Sequence, residues 1–186
     1  MSTSTDADAR SRLADEIKQK AVVHGRVVLS SGQEADWYVD LRRVTLDAEA
    51  APLVGEVMLD TTAGLDFDAV GGLTLGADPV AAAMLHAAAA RGRRLDAFVV
   101  RKEGKTHGLQ QLIEGPAVKG RRVLAVEDTS TTGASVLTAV AALREAEAQV
   151  IGVAVIVDRD TGAKEAVESA GLPYRAAISA HDLGLE

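Results

Sequence analysis

The chain has 186 residues, 47% hydrophobic and 25% charged, with a net charge of −7. Those proportions describe a globular chain long enough to bury one sizeable core, and they exclude a disordered or fibrous polymer. The absence of cysteine removes disulfides, thiolate metal sites and cysteine nucleophiles, and the acidic balance argues against general nucleic-acid binding.

Aromatic residues make up only 3%, so valine, leucine and alanine must fill the core. No apolar run approaches the roughly 18 residues that suggest a membrane span, and the N-terminal residues lack the basic-then-apolar pattern of a signal peptide. A cytoplasmic protein with no membrane or nucleic-acid partner is therefore expected.

Residues 1–8 read as a disordered tail. Over 9–23, Leu13, Ile17 and Val22 recur at helical spacing and would bury one face. Two short strands are predicted at 26–30 and 36–41, and Asp47 is placed to cap a helix over 48–63 that carries Pro52 in its first turns. From there strands and helices alternate: strand 68–73, helix 78–91, strands 96–101 and 122–127, helix 134–146, strand 150–157, helix 162–170 and strand 173–178. This rhythm predicts one α/β domain over 1–186, a central, mostly parallel sheet flanked by helices on both faces. Residues 24–42 do not fit the alternation and are expected to form a small N-terminal hood over the site. Residues 101–119 are too polar for a core and long for a connector, which points to a mobile functional loop.

The stretch 123–135 organises the chemistry. A buried apolar strand leads to Glu127 and Asp128, then to Thr129, Ser130, Thr131, Thr132, Gly133, Ala134 and Ser135, where a helix begins. Unpaired N–H groups and the positive dipole end at a helix start favour a phosphate, and open α/β sheets place ligands at strand ends. Two carboxylates beside such a cradle suit a sugar phosphate, with the acids accepting hydrogen bonds from ribose hydroxyls. The plainer alternative is a strand-to-helix turn capped by Thr and Ser.

This arrangement resembles the phosphoribosyl pyrophosphate (PRPP) signature of the type I phosphoribosyltransferases, and the resemblance implies their fold. Residues 101–108 then add three cations and a histidine just past a strand end. Gly104, Lys105 and Thr106 could end a P-loop, but the glycine needed five positions earlier is Val99, so that reading fails. The stretch instead resembles the catalytic loop of the orotate phosphoribosyltransferases, whose Arg-Lys-Glu-x-Lys-x-His-Gly pattern is met by Arg101, Lys102, Glu103, Lys105, His107 and Gly108. A solvated charged loop is the ordinary alternative for such a run.

Gly71, Gly72 and Gly76 follow a strand and precede a helix; they permit close backbone approach to a ligand or simply a tight turn. By resemblance this is a pyrophosphate loop lined by Leu73, Thr74 and Leu75, often with a cis peptide, and many relatives carry lysine where Gly76 and Ser30 stand. Tyr38 and Val39 fall where relatives cover the pyrimidine, although half-buried strand packing would also explain Trp37 and Tyr38. Arg159 matches the arginine that binds the orotate carboxylate, and a guanidinium fork suits that planar group. A surface arginine paired with Asp158 or Asp160 is its alternative. Asp158 and Asp160 also mimic an aspartate-nucleophile phosphatase, but Gly162 stands where that family wants Thr or Val. His24, His86 and His181 show no ligand spacing.

The resemblance implies transfer of a phosphoribosyl group from PRPP to orotate. It assigns Arg101, Lys102, Lys105, His107, Glu127, Asp128, the 129–135 loop and Thr74 to PRPP, with Lys105, His107 and Asp128 catalytic, and Thr131, Arg159, Tyr38 and Val39 to orotate. It also implies Mg²⁺ carried by the substrate, with no all-protein metal site, and a homodimer whose catalytic loop is shared between subunits. Two alternatives are a phosphoribosyltransferase for another base and a non-catalytic PRPP-sensing regulator.

Overall fold

A computed structural model describes residues 3–28, 34–102 and 112–185. Helix α1 (Thr3–Lys20) precedes a hairpin of β1 (Val22–Val28) and β2 (Glu34–Val39), which pair antiparallel apart from the main sheet. A four-residue helix α2 (Arg42–Thr45) leads to α3 (Ala50–Thr61), whose start is held by Asp47: its carboxylate accepts the Glu49 and Ala50 N–H groups, each at 3.0 Å. Then follow β3 (Ala69–Leu73), α4 (Ala77–Ala90), β4 (Asp96–Val100), β5 (Ile113–Glu114), β6 (Arg122–Ser130), α5 (Ala134–Glu145), β7 (Gln149–Asp158), α6 (Ala163–Ser169) and β8 (Tyr174–Ser179).

The main sheet runs β5-β4-β3-β6-β7-β8, with β4 and β5 antiparallel and the other pairs parallel. Its strands are covered on both faces, and period-2 alternation divides their side chains between two cores. On one face Leu124, Val126, Ala154 and Ile156 pack with α1, α3 and α4 residues such as Ile17, Val54 and Met84. On the other, Val123, Ala125, Val153 and Val155 pack with Val136, Val140 and Leu143 of α5 and Val167 of α6. The expected α/β architecture is thus present, with its strand ends free to carry a site.

Four local expectations change. Helix α1 starts at Thr3 rather than after a disordered 1–8 tail, because neither glycine nor proline interrupts the first 20 residues. Strand β6 extends to Ser130, past the predicted end at 127, because β7 continues to pair beside it through Asp158. Within 101–119, Ile113 and Glu114 form an edge strand against Val100 and Val99. Gly71 and Gly72, read both within the strand at 68–73 and as glycines following it, belong to β3, where an added Cβ on Gly72 would run into the Val126 carbonyl. No helix among the described residues is long and apolar enough to cross a membrane.

Candidate active site

A cavity of about 390 Å³ opens at the C-terminal ends of β3, β6 and β7, where a parallel sheet presents its loops. Its floor is Glu127, Asp128 and Thr129 from β6, with Thr131 and Ser135 beyond. One wall is the Leu73–Gly76 turn between β3 and α4; the opposite wall is Tyr38 to Arg42, from the hairpin and the start of α2, together with Arg159. Lys102 stands at its edge.

Glu127 and Asp128 are largely removed from water without a cation bonded to either among the described residues. Burial, reinforced by the Asp128 charge, pushes Glu127 up to about 7, while the Ser135 hydroxyl donates to it and pulls the other way. Burial also raises Asp128; its Oδ1 accepts the Thr129 N–H at 2.7 Å, and the field of Arg42 opposes the rise. Two adjacent, half-buried acids in the cavity floor are poised to accept hydroxyl hydrogen bonds or face a cationic centre.

Beyond them the chain turns through Gly133, whose φ of +77° lies in the left-handed region, and enters α5. The Thr161 hydroxyl donates to the Thr131 carbonyl at 2.5 Å and the Arg159 N–H to the Ser130 carbonyl at 3.0 Å, so the loops after β6 and β7 are fastened together. Thr129, Thr131 and Ser135 line the cavity. Thr132, Gly133 and Ala134 are not on its wall, and the Ser130 side chain is 1% exposed, because Ser130 still pairs within the sheet. Ser130 therefore does not offer its hydroxyl to a ligand.

In the β3–α4 turn the Thr74–Leu75 peptide is cis, and the Thr74 hydroxyl donates to Asp78 Oδ2 at 2.7 Å. An added Cβ on Gly76 would lie 2.6 Å from Asp128 Oδ1, so a side chain there would make the Asp128 carboxylate or the turn shift. Arg159 stacks its guanidinium 4.1 Å from the Trp37 ring centre, its Nε buried with no hydrogen-bond partner among the described residues. That orphaned donor beside Tyr38 and Val39 favours a ligand contact over the surface pairing with Asp158 or Asp160.

Arg101 lies outside the main cavity, in an adjoining hollow with Thr74, Leu75 and Lys102, its Nη1 3.4 Å from Glu114 Oε1. Lys105, His107 and Ser30 fall outside the described residues. Sequence reasoning missed Asp40 and Arg42; their acid–base spacing next to Tyr38 was the available signal, without any periodicity to place it.

The phosphoribosyl transferase domain family matches residues 50–170. The orotate phosphoribosyltransferase of Streptomyces avermitilis is 73% identical over 180 residues, covering 96% of this chain and 99% of the relative. The chain belongs to the orotate phosphoribosyltransferases. The Mycobacterium tuberculosis member, solved with Fe(III) dicitrate, is 58% identical with a TM-score of 0.86, covering 95% of this chain and 99% of that one. A second structure of it, in complex with PRPP, matches at 54% identity and a TM-score of 0.82, with the same coverage of 95% and 99%. The type I phosphoribosyltransferase fold expected from the 123–135 signature is therefore the fold of this family.

Proposed function

We propose that this chain transfers the phosphoribosyl group of PRPP to orotate, releasing pyrophosphate and forming orotidine 5′-monophosphate. The observation that carries this reading is that one cavity joins the half-buried Glu127–Asp128 pair to the loop leading into α5 and to the stacked Arg159, whose Nε has no partner among the described residues. Its partners are then small molecules. A soluble, cytoplasmic place in pyrimidine nucleotide synthesis is consistent with that chemistry.

The roles follow from where charge develops. As the bond from ribose C1 to the diphosphate breaks, the sugar gains cationic character and the diphosphate gains negative charge. The loop from Thr129 to Ser135 holds the 5′-phosphate through backbone N–H groups and the Thr131 and Ser135 hydroxyls. Glu127 and Asp128 hold the ribose hydroxyls and lie beneath the developing cation. Thr74 and Lys102 meet the diphosphate, joined by Arg101, Lys105 and His107 of the basic loop, with Lys105 stabilising the leaving group. Arg159 and Thr131 orient orotate, and Tyr38 and Val39 cover its ring.

Mg²⁺ suits this site as a substrate-borne ion: the nearby carboxylates are Asp40, Glu127 and Asp128, and the described residues contain no cluster of three or more His, Cys, Asp or Glu fit to cage a metal. Carried in with the substrate, it would neutralise charge on the departing group. A homodimer in which the basic loop completes the neighbour's site extends the same reading.

The test is a spectrophotometric assay of orotate loss with PRPP and Mg²⁺, run beside uracil and adenine. Pyrophosphate-linked loss of orotate alone supports the proposal. Turnover of another base in its place, or binding of PRPP with no turnover, overturns it in favour of a different transferase or a regulator.

A further inference from the structure

Three described cations line the cavity, and only two have been accounted for. Arg159 is committed to the base wall by its stacking on Trp37, and Lys102 stands at the edge. The third is Arg42. Its Nε donates to Asp40 Oδ1 at 3.1 Å and its Nη2 to the Tyr38 hydroxyl at 3.2 Å, while the side chain stays 46% exposed at the cavity face. It is therefore pre-oriented without being buried, and Nη1 has no protein partner among the described residues.

Position decides what Arg42 can reach. It is bonded to Tyr38, on the wall that would cover the base, and shares the cavity with Asp128 of the floor. In a ribosyl donor, the atom between the base position and the ribose hydroxyls is C1, and the anion attached there is the diphosphate. The 5′-phosphate belongs at the other end of the sugar, on the loop into α5. Helix α2 also packs against α4, the helix that follows the Thr74–Gly76 wall. That wall supplies no cation of its own, since Leu73, Thr74, Leu75 and Gly76 include no basic side chain.

We propose that Arg42 is a substrate-contacting residue that binds the diphosphate of PRPP, supplying from the N-terminal segment the positive charge that the Thr74–Gly76 wall lacks. Asp40 holds the guanidinium in place, and on binding a free N–H of the fork turns to a diphosphate oxygen, a planar match that an ammonium would not reproduce. This inference rests on the PRPP reading of the site.

Calorimetric titration of inorganic pyrophosphate and of PRPP, with steady-state kinetics, tests it. Arg42→Ala should weaken both ligands about tenfold or more, the usual effect of losing one charge-assisted hydrogen bond, and raise KM for PRPP with KM for orotate nearly unchanged. Arg42→Lys should recover part of the affinity. Asp40→Asn should bind pyrophosphate as well as the parent or better, because it frees the guanidinium. If Asp40→Asn and Arg42→Ala weaken binding alike, the arginine serves only its ion pair and the proposal fails. It also fails if Arg42→Ala leaves pyrophosphate affinity intact or affects orotate alone. A parent protein that binds neither pyrophosphate nor PRPP overturns the functional reading itself, whatever the variants do.

Discussion

Gly76 and Asp128 compete for one volume: a Cβ on Gly76 would stand 2.6 Å from Oδ1 and 2.9 Å from Cγ of Asp128. One of the two acids of the site is therefore positioned by the absence of a side chain on the opposite wall. Both Asp128 and Gly76 line the cavity, so relief of the clash must move the acid or the turn.

Gly76→Ala should accordingly lower kcat/KM for PRPP by about tenfold to a hundredfold, the scale expected when a reacting group is displaced by about 1 Å. Thermal unfolding should change little, because Gly76 lies at the cavity rather than in either core. Normal kinetics in a stable variant would mean that Asp128 tolerates displacement.

Glu127 makes stability depend on pH. With its folded pKa pushed up to about 7, the folded protein keeps a proton that the unfolded chain has already released. The stabilisation from that proton is complete below the ordinary carboxylate range and is lost as pH rises through about 7. Glu127→Gln, which mimics the protonated side chain, should match the parent at low pH and exceed it at pH 8 by on the order of 2 kcal/mol. Some slope should persist from Asp128 and Asp158, both raised by burial. Urea unfolding across pH 4.5 to about 8 reads the difference, and parallel curves for the two proteins would remove Glu127 as its source. The same variant should lose roughly 10²-fold in kcat/KM, having given up a charged acceptor beneath the ribose.

Arg159→Ala should chiefly raise KM for orotate, by about tenfold or more, with KM for PRPP nearly constant. Arg159→Lys should recover little, since the stacking on Trp37 and the fork both need the planar guanidinium. An unchanged orotate KM would return Arg159 to a packing role against Trp37.

Those residues were readable to different degrees. The alternating strands and helices, and the acids at the end of β6, are local patterns: hydrophobic periodicity and a run of adjacent polar residues survive in one dimension. The places that departed from expectation depend on contacts distant in sequence. Strand β5 exists because β4 offers an edge to Ile113 and Glu114, and β6 continues past Glu127 because β7 runs beside it. Arg42 sits on a four-residue helix too short to show a period, and its relation to Asp128 joins segments more than 80 residues apart. The exclusion between Gly76 and Asp128 is likewise a packing fact; the sequence shows only that a glycine stands there.

The expected sharing of the basic loop between subunits can be tested without locating Lys105, which lies outside the described residues. Lys105→Ala should cut kcat by about 10²-fold or more if it acts on the leaving diphosphate, and Asp128→Ala should do the same by removing the acid of the floor. In a dimer whose loop crosses to its neighbour, mixing and re-equilibrating the two variants creates one site with both defects and one with neither. Up to about a quarter of parental activity should then return, since half of the dimers are mixed and each holds one intact site. Sites contained within single subunits give no recovery, because every site in the mixture carries one lesion. The outcome is read by following orotate loss over the mixing time, with size-exclusion chromatography confirming that subunits have exchanged.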